Sequence, residues 1–127
     1  MSTLEELKSI LTELDNAVTG QIQGSLIASS DGFLIADTLR TNDDADRVAA
    51  MVATTVGVGR RMASTLSAGG LNETSITGDD RLIQLYLIGD TGVLAVVAKA
   101  GSNIALINIA ARKAADKAAA LLDQVVA

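Results

Sequence analysis

Residues 24–37 read Gly24-Ser25-Leu26-Ile27-Ala28-Ser29-Ser30-Asp31-Gly32-Phe33-Leu34-Ile35-Ala36-Asp37. Two short apolar runs flank an Asp-Gly pair, and that pair tolerates the positive φ values a tight hairpin turn requires. The stretch predicts an antiparallel hairpin, with strands over 24–30 and 33–37. Upstream, Leu4, Leu7, Ile10, Leu11, Leu14 and Val18 recur at helical spacing behind Ser2 and Glu5, a capping-box pair, so a first helix runs from Ser2 to about Gly20. Downstream, Gly69-Gly70 precedes three more strands, 71–77, 81–88 and 93–99, joined by Gly78-Asp79-Asp80 and Gly89-Asp90-Thr91-Gly92. Loops this short force an antiparallel meander, because a parallel crossover needs about a dozen residues or more. Gly101-Ser102-Asn103 then caps a last helix over 103–125, with Ile104, Ile107, Ala111, Ala114, Ala118, Leu121, Leu122 and Val125 as its buried stripe.

Between hairpin and meander lies a second helix, 44–67, with Asp43, Asp44 and Asp46 as alternative N-caps. Its bulky residues Val48, Met51, Val52, Val56, Met62 and Leu66 read as a stripe lying on a sheet. Ala49 or Ala50, Ala53, Gly57 and Ser64 form a second face, small enough for another backbone to come close. A helix apolar nearly all round is buried on more than one side, and in so short a chain one of those sides is expected to belong to a partner. The strand over 71–77 is polar through Asn72, Glu73, Thr74, Ser75 and Thr77, as suits an edge or a strand paired across a symmetric interface. The two strands after it are almost continuously apolar, broken inside only by Gln84, and read as central. The expected subunit interface comprises Ala49, Ala50, Ala53, Gly57, Ser64, Glu73, Ser75 and Thr77.

The 127 residues amount to one α+β domain over 1–127, in the order α-β-β-α-β-β-β-α, with no internal repeat or linker. They include no His, Cys, Pro or Trp, which excludes a Ser-His-Asp triad, thiolate chemistry, His-ligated metals and Cys-ligated zinc. No paired carboxylates stand out in apolar surroundings, so no catalytic residue, cofactor site or metal site is assigned and an enzyme is not expected. Gly57-Val58-Gly59-Arg60-Arg61-Met62 fails the dinucleotide fingerprint at its third glycine and lies inside a helix. Arg60 and Arg61 are the one pair of adjacent arginines, read equally as solvated residues near a helix C-terminus and as contacts for an acidic or phosphate-bearing partner. A net charge of −5 and 2% aromatic content argue against nucleic acid and anionic membranes. Apolar content of 49% without a run long enough for a membrane span predicts a cytoplasmic protein whose surplus apolar surface is buried in a dense core or against another subunit.

With Gly24, Ser29, Asp31, Gly32 and Ile35 in place, the chain resembles the roadblock family of dynein light chains and its bacterial MglB-type relatives. The likeness extends over the long second helix, the Gly-Gly break, the meander and the Asn103-Ile104-Ala105-Leu106 start of the last helix, with Ala105 where many relatives carry Gly. The resemblance implies a five-stranded antiparallel sheet, the second helix on one face and the first and last helices on the other. It also implies homodimers in which second helices pack together and third strands pair, and a non-enzymatic adaptor that binds and regulates a small Ras-like GTPase in signalling or polarity. Arg60 and Arg61 are then candidates for the partner surface. A competing reading from the residues alone is a small-molecule-sensing α/β domain with an apolar pocket between sheet and helix.

Overall fold

The computed structural model describes residues 2–40 and 44–126. The elements are α1 (Thr3–Ala17), β1 (Ile22–Ser29), β2 (Leu34–Asp37), α2 (Ala45–Thr65), β3 (Glu73–Thr77), β4 (Arg81–Ile88), β5 (Gly92–Lys99) and α3 (Ile104–Val126). They form the expected α+β arrangement, and the strands make one antiparallel sheet in the order β2-β1-β5-β4-β3.

Local chemistry sets the helix starts. The Glu5 amide donates to Ser2 Oγ at 3.1 Å, the Arg47 amide to Asp44 Oδ1 at 3.2 Å, and the Leu106 amide to Asn103 Oδ1 at 3.2 Å. Each cap satisfies an amide that the helix itself leaves without a partner. Asp44 is therefore the cap of α2, while Asp43 lies outside the described residues.

The sheet separates two apolar layers. Along β4, Leu82, Tyr86 and Ile88 face α1 and α3, joined by Leu7, Leu11, Ile107 and Leu122. The alternate residues Ile83, Leu85 and Leu87 face α2, where Val52 and Val56 cover them. Period-two alternation thus assigns every apolar β4 side chain to one of two cores. In β1 the phase changes: Ile22 shares the α1/α3 core with Ile27 although they differ in parity, because the β1–β5 register shifts between Ile22 and Gly24. Burying each of these aliphatic side chains contributes about 1.5–3 kcal/mol.

The turn of the first hairpin also touches α2. Gly32 has φ +93°, and a Cβ there would stand 3.4 Å from the Ala50 Cα and 3.7 Å from the Ala53 Cβ. The positive φ of the turn requires the glycine, and the hairpin lies within van der Waals range of the helix there. Phe33 beside it is 72% exposed and precedes the strand instead of starting it.

A polar clamp ties α1 to the sheet. Ser25, wholly buried, donates from Oγ to Asp15 Oδ1 at 2.7 Å, and the Thr38 hydroxyl donates to Asp15 Oδ2. Burial raises the Asp15 pKa above its ordinary 3.8, against the opposing hydrogen bonds from Thr38 and Ser25. The folded state holds this proton more tightly than the unfolded one. The stabilisation from protonation is complete below the ordinary carboxylate value and is lost as pH rises through the raised value. Asp15→Asn keeps a polar side chain of the same shape without the titration. The melting temperature of the variant should therefore rise relative to the native chain as pH increases above the ordinary carboxylate value, as thermal melts across that range would read. A constant difference between the two proteins would refute the burial-driven shift.

Candidate interaction surface

β3 is an outermost strand and, among the described residues, pairs only with β4, so its other edge presents unpaired backbone groups there. Of its five residues only Thr74 is partly buried. Ile76 is 45% exposed on the α2 side of the sheet, where its neighbour across the ladder is Ile83. On the opposite side, Glu73 accepts from Arg112 Nη2 of α3 at 2.8 Å, and that guanidinium lies 5.7 Å from the centre of the Tyr86 ring. The Tyr86 hydroxyl donates to Asn108 Oδ1, which also accepts from Gln84 Nε2 at 3.3 Å. Burial raises the Tyr86 pKa, so the phenol remains a donor. Ser75 and Thr77 stand exposed on the strand.

The circumference of α2 differs from the sequence reading in two respects. Ala49, expected at a subunit interface, is wholly buried beneath α2 in the core it shares with Val52, Val56 and Leu85. Ala53, half-buried, and Ala50, exposed, lie beside the hairpin turn at Gly32. Gly57 and Ser64 are exposed, and nothing lies within 4 Å of a Cβ placed on Gly57.

The second difference concerns the bulky residues expected against the sheet. Val52 and Val56 lie there and Val48 is half-buried, but Met51 is 59%, Met62 57% and Leu66 73% exposed, with Val58 beside them. At about 100° per residue, a phase set by Val52 and Val56 turns Met51, Val58 and Met62 onto one flank. Thr55 lines a cavity together with Met51 and Ile76, so this flank is the side of the helix toward β3. The phase is legible in the sequence once the inward pair is chosen correctly; apolarity alone does not choose it.

Arg60 and Arg61 are exposed in the C-terminal half of α2, and neither takes part in an ion pair among the described residues. The described residues bring no three acidic side chains together as metal ligands. The surface presents an open strand edge, an apolar helix flank and two arginines, which are means of binding another chain.

The inward and outward assignments on α2 separate by mutation. Ala49→Leu should lower stability by about 1–3 kcal/mol through overpacking. Gly57→Ala should raise it by about 0.5–1 kcal/mol, because the site is open and alanine favours helix. Denaturant titration of both variants checks the pair, and similar effects from the two would contradict the assignment.

Comparison with known proteins adds family to geometry. The sequence matches the Roadblock/LC7 domain over residues 8–98. It is 35% identical over 112 residues to the uncharacterized protein MJ0714 of Methanocaldococcus jannaschii, covering 88% of this chain and 92% of that one. Among solved structures, an MglB with tetrameric arrangement superposes with a TM-score of 0.87 at 16% identity, covering 99% of this chain and 94% of that one. A Roadblock/LC7 domain from Streptomyces avermitilis superposes with a TM-score of 0.84 at 19% identity, covering 91% and 96%. With its order of elements and sheet topology already established, the chain belongs to the Roadblock/LC7 family.

Proposed function

We propose that this protein is a homodimeric, non-enzymatic adaptor that binds and regulates a small Ras-like GTPase. The observation that carries the dimer is the meeting of the open β3 edge with the apolar flank of α2. Their junction is Gly59, where a Cβ would stand 3.3 Å from Leu71 Cδ2 and 3.6 Å from Thr74 Oγ1. The C-terminal half of α2 thus lies against the residue next to Ser75, the centre of β3. One two-fold axis running near both points pairs β3 with its copy and sets the two α2 helices antiparallel. In that register Met51 faces Leu66 of the partner subunit, and Thr55 faces Met62 of the partner subunit. Such an isologous contact closes on itself and covers apolar side chains that a single chain leaves in water. It also pairs the backbone of a strand whose edge is otherwise open.

The GTPase part of the reading comes from the family resemblance to MglB-type domains, together with the Arg60 and Arg61 pair on a chain of net charge −5. Regulation would act through the GTPase's own switch segments or through a supplied guanidinium.

Light scattering across a gel-filtration peak tests the dimer. The native chain should elute at twice 13.0 kDa, and Met62→Asp with Leu66→Asp should halve the mass while the helical circular dichroism is retained. A native mass of 13.0 kDa at micromolar concentration overturns it. Affinity purification with GTP or GDP added should recover a Ras-like GTPase, and recovery in neither state removes the functional reading. With that GTPase in a single-turnover assay, loss of acceleration in Arg60→Ala or Arg61→Ala would identify a supplied arginine. Unchanged turnover in both leaves switch remodelling as the route.

A further inference from the structure

On the face of the sheet that carries α1 and α3, alternate residues of β3 stand in a row: Glu73 across the ladder from Tyr86, Ser75 from Gln84 and Thr77 from Leu82. All three are exposed in the single chain. Arg112 of α3 reaches over the Tyr86 ring and donates to Glu73 Oε2 at 2.8 Å. Among the described residues it is the one salt bridge that joins a helix to a strand. Its side chains are 50% and 36% exposed, and an ion pair so open to water contributes little to the stability of one chain.

In the proposed dimer, on which this role rests, the setting of the pair changes. An axis through Ser75 sets Glu73 opposite Thr77 of the partner subunit and Ser75 opposite its own copy. Antiparallel residues directly opposite lie about 4.5–5.5 Å apart, so the second strand takes water away from one side of each Glu73 carboxylate. The two-fold repeats this at both ends of the seam, between chains that each carry a net charge of −5. A carboxylate withdrawn from water without a counter-charge opposes association, whereas one paired with a guanidinium, or replaced by a neutral group, does not. We propose that Arg112 is a positioning residue for self-association. It neutralises Glu73 and holds Oε2, so that Oε1 accepts from the hydroxyl of Thr77 of the partner subunit. The second copy completes a polar contact that one chain supplies only in part, and the packing of α3 is thereby coupled to the strength of the β3 seam.

Equilibrium sedimentation over a concentration series reads the dimer constant. Arg112→Ala should weaken the native dimer about tenfold, because the two-fold counts each change twice. Glu73→Gln should change it by less than about threefold, and Arg112→Ala combined with Glu73→Gln should return to within about threefold of native, because no unpaired carboxylate is left. A loss caused by poorer packing on Tyr86 or by a damaged fold would persist in the double variant. Absence of rescue therefore overturns the role, as does a dimer indifferent to Arg112→Ala. The chain has no Cys, so Ser75→Cys checks the axis separately: its opposed Cα atoms lie within disulfide range, and oxidation should give a covalent dimer. A native dimer in which Ser75→Cys does not cross-link overturns the seam and the role of Arg112 while dimerisation stands. A native chain that stays monomeric removes the dimer itself, and the role with it.

Discussion

The structure depends on β5 pairing with both β1 and β4. Those ladders join residues 22–29, near the start of the chain, to 92–99, near its end, and bring 81–88 alongside. A strand in that position has no free edge and both faces covered, which is why Val93 to Ala98 is a continuous apolar run. Once β5 is central, period-two alternation divides its side chains between two cores: Leu94, Val96 and Ala98 toward one, Val93 and Ala95 toward the other.

A sheet apolar on both faces must be covered twice, and the coverage is unequal. Two antiparallel helices lie on one face, held together by Leu7, Leu11 and Leu14 of α1 against Ala111, Ala114 and Ala118 of α3. One helix lies on the other. A single helix about 10 Å wide does not span five strands spaced about 4.8 Å apart, so its flank and the sheet beneath are left partly open. The cavity, exposed Ile76 and the Met51, Met62 and Leu66 flank all follow from this inequality. Surface available to another molecule therefore accumulates on the side of α2.

Much of this arrangement is written locally. The Asp31-Gly32 turn, the caps at Ser2, Asp44 and Asn103, and the short glycine-containing loops each specify an element boundary by nearest-neighbour chemistry, and the observed boundaries fall within a few residues of those read. Polar β3 is an edge strand of the chain's own sheet, and four of its five residues stand exposed. The circumference of α2 is less legible. Its residues are apolar on more than one side, so periodicity alone does not distinguish Ala49 in the core from exposed Ala50 beside the hairpin turn, or Val52 on the sheet from Met51 at its flank. Asp15 offers no sequence signal at all: a carboxylate near the end of a helix reads as solvated until Ser25 and Thr38 are brought to it.

What the sequence by itself determined is the set of elements, their order, the antiparallel meander and the absence of imidazole and thiol chemistry. These are consequences of spacing, turn residues and composition, which act over a few residues. The tertiary structure decided which side of α2 meets the sheet, that the hairpin turn at Gly32 lies beside Ala50 and Ala53, and that Arg112 of α3 meets Glu73 of β3. Each depends on contacts between segments far apart in the chain, and the register shift in β1 shows how one residue redirects a face. A local pattern states that a side chain is apolar; only the packed chain determines what covers it.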